Sequence, residues 1–335
     1  MAPSFWLEIT DWKKENTLRS LESLKYFDNE ADLDIKKINS KINFFLKKIP
    51  FIYYDAFKLF SNFIKSYDCD DNEILSSRSV ISRIMNTPFE INRGRRKWII
   101  KAKLFKNNAI YLYYDREEEE YLSEDIAKQY EILKRYLFVK YPVNYYRNET
   151  SVFDEIFGRI AFIDLEIGKL YYTTEISGVI SDSKITNIDE LNEATYIYCD
   201  IFEDGKFSQD VINYNPIWWS KAKLTNAEQF IIASYDKHNN CLKKILKFNM
   251  NEFEDKRRYE NLWSPDAAWN FLNNFIQFVR NSVNCVSDEI KNKCIWKYES
   301  FQDKRPFVTC EILFNVSENG DEVLIPLMFD EAHFP

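Results

Sequence analysis

Two histidines, His238 and His333, are all that the 335 residues contain. Chemistry built on several imidazoles, a multi-histidine metal site included, is therefore almost excluded. Neither histidine has a catalytic partner near it in sequence. The six cysteines, Cys69, Cys199, Cys241, Cys285, Cys294 and Cys310, form no CxxC pair, which argues against a zinc ribbon and a thioredoxin-like site. They read as buried free thiols of a reducing compartment. Six glycines leave little room for phosphate-cradling loops, and neither GxGxxG nor GxxxxGK[ST] occurs. The densest basic run is Arg93, Arg95, Arg96, Lys97, Lys101 and Lys103. It could hold RNA phosphates by counterion release and guanidinium forks. It reads equally as the polar face of an exposed hairpin strand, alternating with Trp98, Ile100 and Leu104, where edge lysines discourage aggregation. Tyr111, Tyr113, Tyr114, Tyr171, Tyr172, Tyr196 and Tyr198 could stack bases, although strand aromatics mostly serve packing. Lys243, Lys244 and Lys247 read as surface charge.

Composition narrows the setting for such chemistry. Lys and Arg number 45 against 53 Asp and Glu, a net charge of -8, so the surface as a whole does not attract nucleic acid and only a local basic patch could. The chain is 45% hydrophobic and 17% aromatic, enough to build a sizeable core. Met1 to Asp11 lacks the apolar stretch of a signal peptide, and no run reaches the ~18 residues of a membrane span. The expectation is a soluble intracellular protein, nuclear or cytoplasmic. Without repeats, low-complexity tracts or Pro/Ser/Gly linkers, residues 1–335 are expected to form one domain.

The elements that must position any site follow from periodicity. Lys36 to Phe45 and Ala56 to Tyr67 carry apolar residues at helical spacing. Lys97 to Lys106 and Ala109 to Asp115 predict a β-hairpin about Asn107-Asn108. Glu117 to Tyr145 predicts an amphipathic helix with an acidic first turn. Arg159–Ile163, Lys169–Ile176, Thr195–Phe202 and Gln229–Tyr235 are rich in β-branched and aromatic residues and predict strands. Leu242 to Asn249 should pair with the last of these across Lys237 to Asn240. Ser264-Pro265-Asp266 is a helix start, with an N-cap hydroxyl, proline at the first position and an acid. The helix should run to about Val283 and bury Phe271, Leu272, Phe275, Ile276 and Val279. Ile295 to Tyr298, Pro306 to Phe314 and Val323 to Met328 predict closing strands. Together they indicate an α/β or α+β domain around a mixed sheet.

Within this frame, Arg78-Ser-Val-Ile-Ser-Arg-Ile-Met-Asn-Thr-Pro-Phe-Glu90 followed by the hairpin resembles the core of the DXO family of decapping exoribonucleases. The order continues with Trp218-Trp219 before the strand Phe230 to Tyr235, with Tyr259 to Phe271 leading into the late helix, and with Ile325-Pro-Leu-Met328. The likeness spans residue 78 to the C-terminus. It implies a twisted mixed sheet with a second sheet and flanking helices, and an ancestry in enzymes that hydrolyse faulty RNA 5′ ends.

In that family several carboxylates converge on two divalent ions, which polarise phosphate and lower the pKa of the attacking water. Carried over residue by residue, the resemblance leaves the set depleted. The helix-motif glutamate falls on Val143. The Glu-x-Asp strand falls on Glu175-Ile176-Ser177, which keeps only its first acid. The Glu-x-Lys strand falls on Tyr198-Cys199-Asp200, and the glutamine after the Trp-Trp pair on Lys221. Arg78 matches the phosphate-binding arginine. Taking Asp164-Leu-Glu166 as the first acidic strand instead shortens the interval between the two motifs to a hairpin and still supplies no catalytic lysine.

The resemblance therefore implies a pseudoenzyme that has lost its Mg2+ or Mn2+ sites, closest in kind to the family's Cutoff-type branch. That branch acts in the nucleus at piRNA-producing loci, in complex with a Deadlock adaptor. By that likeness the chain would be a nuclear scaffold, bound to a Deadlock-like adaptor and protecting RNA 5′ ends, with Arg78, Arg93, Arg95, Arg96, Lys97 and Lys101 as candidate RNA contacts. An active hydrolase with a rearranged site at Glu175 and Asp200, and an interaction module without RNA, are the rival expectations.

Overall fold

Segments rich in β-branched and aromatic residues form the strands, and capped amphipathic segments supply helices around them. The computed structural model of the chain describes residues 5–6, 24–28, 73–89, 96–105, 109–114, 124–139, 157–166, 168–204, 215–239, 241–260, 263–285, 294–301, 304–312 and 327–328. In order, the elements are β1 (Phe5–Trp6), β2 (Tyr26–Phe27), β3 (Ile74–Ser77), α1 (Arg78–Asn86), β4 (Arg96–Leu104), β5 (Ile110–Tyr114), α2 (Glu124–Leu137), β6 (Phe138–Val139), β7 (Gly158–Leu165) and β8 (Gly168–Glu175). They continue as β9 (Gly178–Ile180), α3 (Ile188–Glu193), β10 (Thr195–Glu203), α4 (Pro216–Leu224), β11 (Ala227–Asp236), β12 (Cys241–Asn249), α5 (Met250–Glu260), α6 (Pro265–Asn284), β13 (Cys294–Phe301), β14 (Lys304–Ile312) and β15 (Leu327–Met328).

Two mixed sheets result. One runs β1-β7-β8-β3-β5-β4-β13-β14-β15 and the other β12-β11-β10-β9-β2-β6. In the first, β3 lies parallel to both β5 and β8; in the second, β10 lies parallel to β11. This is the mixed α/β architecture expected, with two sheets and flanking helices. One apolar cluster draws from both sheets and from α1, α4 and α6, and it includes Trp98, Tyr172, Tyr198, Trp219, Phe230, Phe275 and Trp296. Trp219 meets Trp263 at 4.8 Å and Trp269 at 6.2 Å between ring centroids, and Trp98 meets Phe275 edge-on at 5.5 Å. Such aromatic pairs add roughly 0.5–1.5 kcal/mol each beyond the area they bury.

Local signals explain the helices. Ser264 accepts from the Ala267 amide ahead of Pro265 and Asp266, as predicted for α6. Ser77 caps α1 by accepting from the Val80 amide. The predicted buried stripe of α6 holds for Leu272, Phe275, Ile276 and Val279, whereas Phe271 is only partly buried.

Several expectations need correction. The helix predicted over Glu117 to Tyr145 is Glu124–Leu137, and the chain turns extended at Phe138–Val139. Phe138 there packs edge-on against Phe27, so tertiary burial overrides the helical period. Trp218-Trp219 do precede a strand, β11, as expected, and they lie on α4, which opens with an Asn215 cap and Pro216. The strand carrying Lys97 and Lys101 is not an edge: β4 pairs with β5 on one side and β13 on the other. Buried thiols hold for Cys199 and Cys294, but Cys241 is half-buried and Cys285 is exposed. The two helices predicted before residue 70 and the Asn107-Asn108 turn lie outside the described residues. The hairpins β4–β5, β7–β8, β11–β12 and β13–β14 are antiparallel. At the β7–β8 turn Gly168 has φ of +117°, and a side chain there would also press on the Arg280 guanidinium at 3.0 Å.

Candidate functional site: a lysine-filled carboxylate cleft

Where β8 ends beside β10, five elements bring charged side chains together. Register places them. Ser77 of β3 lies level with Thr173 of β8, so Arg78, the first residue of α1, comes alongside Thr174 and Glu175. Its Nη1 donates to the Glu175 carbonyl at 2.9 Å, to Thr225 Oγ1 at 2.9 Å and, more weakly, to Thr174 Oγ1 at 3.3 Å. The guanidinium also lies over the Tyr198 ring at 5.0 Å. Burial works against the Arg78 charge, and the neighbouring oxygens of Tyr198 and Glu175 more than offset it.

Strand β10 contributes the second wall. Tyr198 and Asp200 are two residues apart and so share a face, and Tyr198 Oη donates to Asp200 Oδ2 at 2.5 Å. Lys221 Nζ, from α4, reaches the same oxygen at 2.9 Å. Asp200 Oδ1 accepts from the Ile201 amide at 2.9 Å. Both carboxylate oxygens are therefore engaged. Burial alone would raise the Asp200 pKa, but Lys221 and the Tyr198 hydroxyl hold it below the usual value. Burial, with Asp200 alongside, drives Tyr198 well above the ordinary phenol range. Ser177 Oγ accepts from the Cys199 amide at 3.2 Å, a structural role tying the start of β9 to β10. The Cys199 thiol, on the opposite face of β10, is pushed up to about 12 by burial.

The third wall was not anticipated. Lys134 of α2 enters from the side, its Nζ 3.0 Å from Glu175 Oε1 and 2.5 Å from Glu131 Oε1. The ammonium also sits 4.5 Å above the Tyr130 ring. Only 3% of the Lys134 side chain is exposed. Burial opposes its charge, and the two glutamates overcome that opposition and hold the pKa above the usual lysine value. Glu175 behaves reciprocally: burial pushes its pKa up, and Lys134 and Arg78 bring it below normal. α2 is fixed in place by Ile126, Leu133 and Leu137, which pack against Ile197, Cys199 and Ile231, and by Tyr130 Oη donating to the Cys199 carbonyl at 3.1 Å.

Of the residues singled out in sequence, Arg78, Glu175, Ser177, Tyr198, Asp200 and Lys221 thus come together. Val143, Arg93 and Arg95 lie outside the described residues, and for Arg96 and Lys97 only the backbone of β4 is described. Lys101 stands on the face of β4 opposite the buried Trp98 and Ile100, level with Tyr113 of β5. Tyr111, Tyr171, Tyr172, Tyr196 and Tyr198 are buried, which favours packing over base stacking. Lys243 bridges Asp204 at 2.9 Å and Asp236 at 3.2 Å on the surface. Sequence reading missed Lys134 and Glu131. The available signal was their i,i+3 spacing beside Leu133, which does not say that β8 will arrive there.

Comparison with solved structures agrees with the architecture. Rai1 of Candida albicans, solved with pU5 and Mn2+, superposes with a TM-score of 0.64 at 14% identity, over 88% of this chain and 85% of that one. Rai1 of Scheffersomyces stipitis, solved with (3′-NADP)+ and calcium ion, gives 0.62 at 12% identity over 89% and 84%. K. lactis Dxo1 with manganese gives 0.56 at 11% identity over 88% and 84%. The chain has the Rai1/DXO fold. No family model matches the sequence, and no curated protein does either. At such identities the likeness carries the fold and not the chemistry, so the cleft must be judged on its own residues.

Proposed function

We propose that this chain is a catalytically silent protein of the DXO fold, acting as a scaffold that protects RNA 5′ ends. The observation that carries the reading is Asp200. Its two oxygens are occupied by Lys221, Tyr198 and a backbone amide, in the strand where the resemblance calls for a free glutamate. A two-ion hydrolase needs several carboxylates with lone pairs turned to the metal. The donors present do not fit that requirement. Among the described residues no group of three or more His, Cys, Asp or Glu side chains converges, and the two cleft acids each face a lysine. By the resemblance, Ser177 and Val143 take the places of two of the family's acids.

The RNA half of the reading is supported by the fold shared with Rai1, solved with pU5 in one case and with 3′-FADP in another. Arg78 at the cleft and the basic run Arg93, Arg95, Arg96, Lys97 and Lys101 are the candidate phosphate contacts. By the likeness to the Cutoff branch we place the protein in the nucleus, as a single-domain scaffold at piRNA-producing loci that binds a Deadlock-like adaptor and suppresses termination and decay of nascent transcripts. A membrane partner is not part of this reading. Among the described residues no helix is long and apolar enough to cross a bilayer.

The test is incubation of the purified protein with 5′-triphosphate and 5′-monophosphate RNA in Mg2+ or Mn2+. No product is expected, and product abolished by Glu175→Ala would overturn the reading. Charge reversal of Arg93, Arg95 and Arg96 is expected to weaken RNA binding at low salt. Unchanged binding would assign the protein to adaptor contacts alone.

A further inference from the structure

We propose that the Lys134 ammonium is a built-in replacement for a divalent cation at Glu175, neutralising that carboxylate from inside the fold so that the cleft keeps its shape without metal and is closed to Mg2+ and Mn2+. This deepens the reading of a silent cleft and rests on it, but a different residue, from a different element, carries it.

Three observations point the same way. First, Lys134 is held as a bound cation is held. Glu131 and Glu175 each direct an oxygen at its Nζ, the Tyr130 ring covers another side, and 3% of the side chain remains exposed. A mobile surface lysine would swing aside for a metal. This one hangs from a helix whose Leu133 and Leu137 are buried against β10 and β11, and its side chain is almost wholly enclosed. Second, Glu175 Oε1 already carries the Lys134 ammonium. Mg2+ requires oxygen ligands at about 2.1 Å in near-ideal octahedral array. An ion placed on Glu175 would sit within a few ångströms of an ammonium that Glu131 also holds in place, and like charges at that range repel strongly in a partly desolvated cleft. Third, the other cleft carboxylate, Asp200, is neutralised in the same manner by Lys221.

The experiment is a Mn2+ titration of the full chain followed by electron paramagnetic resonance, with Lys134→Met alongside. Wild-type protein is expected to leave the free Mn2+ signal undiminished up to about 1 mM, the weak end of biological divalent affinities. Lys134→Met, which frees Glu131 and Glu175, is expected to bind Mn2+ at least about tenfold more tightly than wild type, the size of effect that removing a support next to a metal usually has. Sub-millimolar Mn2+ binding by wild type that Glu175→Gln abolishes would overturn the proposal. So would a folded Lys134→Met variant with no gain in Mn2+ binding.

Should that variant fail to fold, NMR of 15Nζ-labelled lysine in the wild-type chain decides. A slowly exchanging Lys134 ammonium signal that stays sharp in Mn2+ supports the replacement, and paramagnetic loss of that signal refutes it. The two readings fail separately. RNA hydrolysis in EDTA would end the silent-cleft reading while leaving the place of Lys134 intact, whereas Mn2+ uptake without hydrolysis does the reverse.

Discussion

The cleft contains two lysine–carboxylate pairs of nearly equal length in unequal settings. Lys134 and Glu175 lie 3.0 Å apart with side chains 3% and 22% exposed, while Lys221 and Asp200 lie 2.9 Å apart at 30% and 14%. Distance alone would rank them together. Burial separates them, because a charge withdrawn from water depends on its partner far more than one that water still reaches. The inner pair is also cross-linked, with Glu131 and Tyr130 completing a cage around the ammonium. The outer pair is a single contact supported by a phenol. The comparison teaches that one substitution, lysine facing a cleft acid, can serve as a structural pin at one wall and as a local charge balance at the other.

The largest effect should come from the inner wall. Lys134→Met leaves Glu131 and Glu175 facing each other without a cation, and breaking a buried pair in this way costs about 3–5 kcal/mol. Denaturant unfolding measures it, and a loss below about 1 kcal/mol, the scale of an exposed pair, would erase the distinction between the walls. At the outer wall Lys221→Met should cost about 1 kcal/mol, since Asp200 keeps the Tyr198 hydroxyl, the Ile201 amide and some water. A larger loss there than at Lys134 would invert the comparison. As a reference, Lys243→Met on the surface should change stability by no more than about 0.5 kcal/mol.

Acid titration sharpens the same contrast. Glu175 and Asp200 have folded pKa values below their ordinary 4.5 and 3.8. Each therefore contributes stability that is present above its ordinary value and is lost as pH falls through the depressed one. Wild-type stability should decline below about pH 4.5, and Lys134→Met should remove the Glu175 part of that slope. On the alkaline side Lys25 works in the opposite sense. Its folded pKa of about 8 lies below the ordinary 10.5, so the unfolded chain binds more protons between those values and stability should rise with pH there. Lys25→Met should abolish that rise.

How legible the molecule was depends on whether a signal is local. Richness in β-branched and aromatic residues located β7, β8, β10 and β11, each of which carries a run of consecutive buried residues, and the Ser264-Pro265 cap located α6 because capping needs only three neighbouring residues. Asn215-Pro216 carries the same kind of cap before α4, yet the Trp-Trp pair inside it reads as β-prone, and the helix went unseen. The cleft was legible in part. Asp200 was visible as an acid at the lysine position of the resemblance and Lys221 as a lysine at its glutamine, but their contact depends on α4 lying against β10. Lys134 was invisible for the same reason in a stronger form. On an amphipathic helix a lysine reads as solvent-facing, and only the arrival of β8, forty-one residues later in sequence at Glu175, makes it the centre of the site.

The central claim, that lysines occupy the place of metal in this cleft, is tested most directly by crystals of the protein soaked in Mn2+ and measured at the manganese absorption edge. The account predicts no anomalous peak between Glu175 and Asp200, with Lys134 still bonded to Glu175. A peak there, with Glu175 oxygen within bonding distance and Lys134 displaced, would contradict it.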